Sequence, residues 1–175
     1  MINRDRLVKT FIDLVKIDSP SGEEDEIATE LTKRLKQLGF DVRRDSYGNL
    51  IASNGGENPL ILSAHMDTVE PGRGIAPSIQ GDRIVSDGTT ILGGDCKCGV
   101  AAILEALESV NEDQVPHLDL EVIFTRDEEI GLVGARNLDF SLIKGKESVV
   151  FDGEGPVNQI TSSSPTYIGF ELEIV

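Results

Sequence analysis

The sequence predicts an α/β fold with a mixed, mostly parallel sheet, and three observations predict it. Two amphipathic helical stripes open the chain, and short apolar runs of strand length follow. A further helical stripe separates two of those runs, the arrangement that links parallel strands through a crossover helix.

The elements follow in chain order. Leu7, Phe11, Leu14 and Val15 recur on one helical face with Arg6, Lys9, Asp13 and Lys16 between them, and Asp18-Ser19-Pro20 ends that helix. Ser21 and Glu24 have the spacing of a capping box for a second helix. Its stripe is Ile27, Leu31, Leu35 and Leu38, and Gly39 terminates it. The acidic cluster Glu23 to Glu26 is expected to be a solvated first turn facing the positive end of the helix dipole. Phe40 to Ser46 and Asn49 to Ser53 form a hairpin turning at Tyr47-Gly48. The stretch Pro59 to Val69, between Gly55-Gly56 and Pro71-Gly72, reads as a short strand buried on both faces that delivers a histidine and a carboxylate at its far end. After a loop from Pro71 to Pro77, Ile79 and Ile84-Val85 flank Gly81-Asp82 in a small hairpin, expected beside the site and without chemistry of its own. Val100, Ile103, Leu104, Leu107 and Val110 make the crossover helix. Leu118 to Thr125 is the next strand, Gly134 to Leu138 a short helix, and Ser148 to Phe151 a further buried run.

Composition narrows the function. A chain of 175 residues with 39% hydrophobic and 27% charged residues suits one globular domain with a substantial core. No apolar run approaches the roughly 18 residues that span a bilayer, and Met1 to Lys16 lacks a signal-peptide centre, so a cytoplasmic protein is expected. A net charge of −15 argues against nucleic acid or an anionic membrane as partner. Cys96 and Cys98 make no disulfide framework and, without further sulfur ligands, a poor structural zinc site; they are expected to be packing residues open to oxidation.

The candidate chemistry lies where these elements end. His65 and Asp67 follow the apolar run, and in an extended chain they share a side, as a metal-bound imidazole and the carboxylate that orients it require. Asp95 stands in the glycine-rich turn Gly93 to Gly99, equally suited to capping a helix and to ligation. Glu128-Glu129 follow the next strand, either as a charged loop or as a ligand beside a proton shuttle. Asp152-Gly153 follow the last run, as a turn or a ligand. Open α/β sheets gather their sites at the carboxyl ends of strands, so these weak signals share one address. Imidazole with carboxylates is the donor chemistry of a hydrolytic zinc, manganese or cobalt centre.

Four segments resemble a known family. Ser63-Ala64-His65-Met66-Asp67-Thr68-Val69, Gly93-Gly94-Asp95-Cys96-Lys97-Cys98-Gly99, Thr125-Arg126-Asp127-Glu128-Glu129-Ile130-Gly131 and Phe151-Asp152-Gly153 are similar, in order, to motifs of the dinuclear metallopeptidases. That family includes peptidase T, glutamate carboxypeptidase, aminoacylase and succinyl-diaminopimelate desuccinylase. Asp87 to Gly93, with Asp127-Glu128-Glu129 and Asp152-Gly153, looks most like the peptidase T branch. The resemblance implies a zinc-exopeptidase-like three-layer sandwich and hydrolysis of amide bonds in small peptides with two Zn2+, or Mn2+ or Co2+. It implies that Asp95 bridges the metals, that His65 and Asp152 complete one and Glu129 the other, that Asp67 orients His65, and that Glu128 is the general base. Deacylation of N-acyl amino acids and a non-catalytic metal-binding module are the alternatives. Cys96 and Cys98 depart from the family's usual residues around the lysine.

The family also carries a further ligand histidine near its C-terminus and an inserted lid through which a homodimer forms. The only other histidine, His117, stands at the start of a strand, away from the carboxyl-end address. Residues 1–164 are therefore expected to be the N-terminal portion of the catalytic domain and 165–175, alternating from Thr166 to Val175, the start of a truncated lid. One well-liganded metal position, one deficient position and little activity of the chain alone are the expectations.

Overall fold

The computed structural model describes residues 1–153, 155–163, 172 and 173, so the expected lid segment lies outside the described residues except at 172 and 173. Helix α1 (Arg4–Val15) begins where Asn3 Oδ1 accepts the Arg6 N–H at 3.1 Å, and it buries the expected Phe11, Leu14 and Val15. Helix α2 (Asp25–Gln37) buries Ile27, Leu31 and Leu35, and Gly39 follows it at φ +87°. The capping box does not form. The Ser21 hydroxyl donates instead to Asp67 at 2.7 Å, and Glu24 is fully buried against Arg126 rather than solvated.

Strands β1 (Asp41–Arg44) and β2 (Leu50–Ser53) form the expected antiparallel hairpin. Its turn is held by Asp45, whose Oδ1 accepts the backbone N–H of Tyr47, Gly48 and Asn49. The main sheet also contains β3 (Leu60–His65), β6 (Leu120–Thr125) and β7 (Glu147–Val150), in the order β1-β2-β6-β3-β7. β2 runs antiparallel to β6, and β6, β3 and β7 are mutually parallel, so the sheet is mixed with a parallel core. The small hairpin β4 (Ser78–Gln80) and β5 (Arg83–Val85) pairs antiparallel around Gly81-Asp82. Its apolar neighbours are on α1, where Ile79, Ile84, Val8 and Ile12 border an open depression of about 460 Å3.

Helix α3 (Gly94–Glu112) carries the chain from β3 to β6. One face of the sheet, through Leu50, Ala52, Ala64, Val122 and Phe124, packs with α1, α2 and α3 into the apolar core. Arg6 ties α1 to α3, its Nε donating to buried Glu105 at 2.6 Å. The chain then crosses the opposite face between β6 and β7 through the short helix α4 (Val133–Arg136) and a 3-10 turn (Phe140–Leu142). Glu121 and Asn49 fasten this crossing, accepting the N–H of Lys144 and Gly145 and donating to the Gly134 carbonyl respectively. The two crossovers lie on opposite faces, so the carboxyl ends of β6, β3 and β7 are left open as a crevice.

Strand β7 corrects one expectation. Its four residues are exposed, with Val150 at 62%, because among the described residues it pairs only with β3 and forms the sheet edge. None of the helices is long and apolar enough to cross a membrane among the described residues.

Candidate metal centre

The carboxyl ends of β3, β6 and β7 and the opening of α3 bring together all six residues singled out from the sequence. His65, the last residue of β3, is buried, and its two ring nitrogens face different partners. Nδ1–H donates to the Asp67 carbonyl at 2.9 Å and lies 3.3 Å from the Asp67 carboxylate. Nε2 faces Asp95 Oδ1 at 2.9 Å, Asp152 Oδ1 at 3.7 Å and Glu128 Oε2 at 3.9 Å. Burial disfavours the imidazolium, but the bonds to Asp67 and then Asp95 outweigh it and raise its pKa to about 9.

Asp67 is fully buried, and its carboxylate does more than face the imidazole. It accepts the Ser21 hydroxyl at 2.7 Å and the backbone N–H of Glu128 and Glu129 at 2.9 and 3.1 Å. Burial alone would raise its pKa; these bonds and that of His65 win and lower it to about 2. The same carboxylate therefore orients a ring on β3 and fixes the loop after β6.

Asp95 and Cys96 break the helical dihedrals at the start of α3, with ψ of 112° at Asp95, and the Asp95–Cys96 peptide bond is cis. The Asp95 side chain is 72% exposed apart from its contact with His65. It does not cap the helix, since Gly93 holds the cap position. Cys96 is buried, and its thiol donates to the Phe151 carbonyl at 2.8 Å. Burial, and then the nearby Asp152, push its pKa up. Gly99 is required beside it: a Cβ there would stand 2.1 Å from the Phe151 carbonyl oxygen. This contact brings α3 onto the end of β7, where Asp152 follows.

The donor set fits divalent cations. One potential ligand atom each from His65, Asp95, Cys96 and Asp152 lie within 4.8 Å of one another, as do those from His65, Glu128 and Glu129. Burial, followed by the fields of neighbouring acids and against that of His65, raises the pKa values of Glu128, Glu129 and Asp152. Acids crowded until they resist ionisation are what a bound positive charge relieves. His117 is exposed at the opposite, amino end of β6 and takes no part, as expected.

Residues that sequence reasoning left outside the site are bonded to the segments around it. Ser19 is buried and donates to the Met66 carbonyl at 2.9 Å, while its own carbonyl accepts the Thr68 N–H at 2.9 Å. Lys97 is buried, donates to the Ile17 carbonyl at 2.7 Å, and is lowered by burial to a pKa of about 8. Its signal was present, because Lys97 stands three and seven residues before Val100 and Leu104 on the helix's buried stripe. Ser21 gave none: its spacing to Glu24 imitates a cap.

Known proteins resemble this chain. Residues 61–162, more than half of the chain, match the family described as Peptidase family M20/M25/M40. The uncharacterised protein YqjE of Bacillus subtilis is 38% identical over 177 residues, covering 95% of this chain and 48% of that protein. The crystal structure of a tripeptidase from Staphylococcus aureus superposes with a TM-score of 0.85 at 40% identity, over 89% of this chain and 45% of that one. That of aminopeptidase PepT from Bacillus cereus gives 0.84 at 43%, over 88% and 44%. The chain thus spans about half the length of these relatives. The mixed sheet, the crevice at its carboxyl edge and the matched residues together make this chain a member of peptidase family M20/M25/M40.

Proposed function

We propose that this chain supplies the nucleophile-activating part of a metal-dependent hydrolase that cleaves amide bonds in small peptides, resembling a tripeptide aminopeptidase. The observation that carries this reading is the convergence of His65, Asp95, Glu128, Glu129 and Asp152 from four separate segments onto one crevice. Likeness to a tripeptidase and an aminopeptidase at 40% and 43% identity supports the peptide substrate.

In this reading His65, Asp95 and Asp152 would hold one divalent ion, and Asp95 and Glu129 would help hold a second. Zinc is the ion proposed. Bound there, the pair would polarise the scissile carbonyl and lower the pKa of an attacking water. Asp67 keeps His65 in the tautomer that leaves Nε2 free for ligation. Glu128, whose raised pKa brings it nearer neutrality, takes a proton from water and delivers it to the leaving amine. A pure binding site would have no use for that extra acid beside Glu129, which disfavours the non-catalytic reading.

The domain reading is likewise a proposal: residues 1–164 belong to the catalytic domain, and 165–175 begin a lid through which the cytoplasmic enzyme dimerises. The 175 residues, which span about half the length of the relatives they match, are proposed to turn over tripeptides weakly on their own. Zinc calorimetry with tripeptide and acetyl-amino-acid hydrolysis assays tests the reading. In a turnover-competent form, Glu128→Gln should abolish hydrolysis while keeping zinc affinity. Cleavage of acetylated amino acids alone would replace the peptidase with a deacylase, and undiminished turnover by the variant would remove Glu128 from its role.

A further inference from the structure

The loop after β6 is held by an unusual run of acceptors. The N–H of Arg126 donates to Asn49 Oδ1 at 3.0 Å, that of Asp127 to Glu24 Oε1 at 3.0 Å, and those of Glu128 and Glu129 to the two oxygens of Asp67. Four successive backbone donors thus end on buried side-chain oxygens from three other segments. Strand pairing has stopped here, and in a buried turn each unpaired N–H would cost a hydrogen bond. Asp127 also sits at φ +50°, a left-handed conformation that a non-glycine residue holds only when its surroundings impose it.

Glu24, which takes the Asp127 N–H in this run, is fully buried. Its Oε2 accepts Arg126 Nε at 2.9 Å and Nη2 at 2.7 Å, and its Oε1 also accepts the Gly22 N–H at 3.2 Å. Arg126 in turn donates to the Gly22 carbonyl at 3.2 Å, closing the link between the two segments. Behind the loop, Gly134 lies so close that a Cβ would stand 2.0 Å from the Arg126 carbonyl oxygen. Tyr47 donates to Asp127 Oδ2 at 2.7 Å from the side of the β1–β2 turn.

We propose that Glu24 is a positioning residue: its carboxylate, clamped on Arg126 and on the Asp127 N–H, forces the left-handed turn that presents Glu128 and Glu129 to the crevice. The role is exerted through the backbone, so Glu24 itself touches neither ion nor substrate. This rests on the metal-centre reading for its functional consequence, while the geometric consequence stands without it.

The test compares Glu24→Gln and Glu24→Ala with the unsubstituted chain by amide hydrogen exchange in the absence of metal and by calorimetric titration with Co2+. In Glu24→Ala the amides of Glu128 and Glu129 should exchange at least about tenfold faster while those of β3 and β6 keep their rates, and Co2+ affinity should fall about tenfold. Glu24→Gln keeps an oxygen for the Asp127 N–H and should lie between, which preserves the test if the alanine variant fails to fold. Unchanged exchange at residues 128 and 129, or equal acceleration throughout the sheet, would overturn the proposal. Failure of the unsubstituted chain to bind Co2+ would instead overturn the metal-centre reading, and with it the functional half of this one.

Discussion

The two halves of the crevice are built differently. On one side, His65 and Asp67 are sealed beneath the loop that carries Glu128 and Glu129, and both carboxylate oxygens of Asp67 are engaged by donors from other segments. On the other side, Asp95 is 72% exposed and Asp152 follows the exposed edge strand β7, with the Cys96 thiol bonded to the neighbouring Phe151 carbonyl. The first half is organised by the fold before any ion arrives, and the second is free to adjust to one. Preorganisation matters most where a proton must move and least where a flexible carboxylate can follow its ligand.

The contrast makes opposite demands on substitutions in the two halves. Asp67→Ala should be the most damaging, because it strands the N–H groups of Glu128 and Glu129 and the Ser21 hydroxyl and leaves the His65 charge without its main partner. Chemical denaturation should register a loss of about 3 kcal/mol without metal, and Zn2+ affinity should fall with it.

The pH dependence follows next. The folded pKa of His65, about 9, lies above its ordinary 6.5, so its bonds to Asp67 and Asp95 stabilise the metal-free fold fully below pH 6.5 and are lost as pH rises through about 9. Urea unfolding between those limits should lose stability on the order of 2 kcal/mol. The imidazole carbon resonances of His65 should titrate near 9, and in Asp67→Asn the midpoint should return toward 6.5.

Ser21→Ala removes one of four donors to Asp67 and should cost about 1 kcal/mol, read from the denaturation midpoint. Asp152→Asn, in the open half, should leave metal-free stability within about 0.5 kcal/mol while lowering Zn2+ affinity about tenfold by calorimetry. A large loss of metal-free stability there would erase the distinction between the halves.

What the sequence disclosed follows the same division. The apolar stripes of α1 and α2, the β1–β2 hairpin and the central strand were legible because burial of a periodic face leaves its mark at fixed spacing. The six candidate residues could be picked out because each stands at or just past the end of a strand or at a glycine turn. The edge position of β7 was not, since Ser148-Val149-Val150-Phe151 has the composition of a buried strand and its exposure is set by which neighbours it receives. Nor were the true partners of Ser21 and Glu24. An acidic residue at the start of a helix satisfies the helix dipole wherever it points, and only the arrival of Arg126 from about a hundred residues away fixes its direction. Local pattern specifies elements; the long-range bonds that brace the site leave no local trace.

The central claim is that these side chains from distant segments share divalent ions. Anomalous diffraction at the zinc edge, from crystals grown with Zn2+, addresses it most directly. The account predicts zinc density among His65, Asp95 and Asp152, with any second peak beside Glu129. Zinc bound only elsewhere, or a crevice that stays free of it at saturating concentration, would contradict the account.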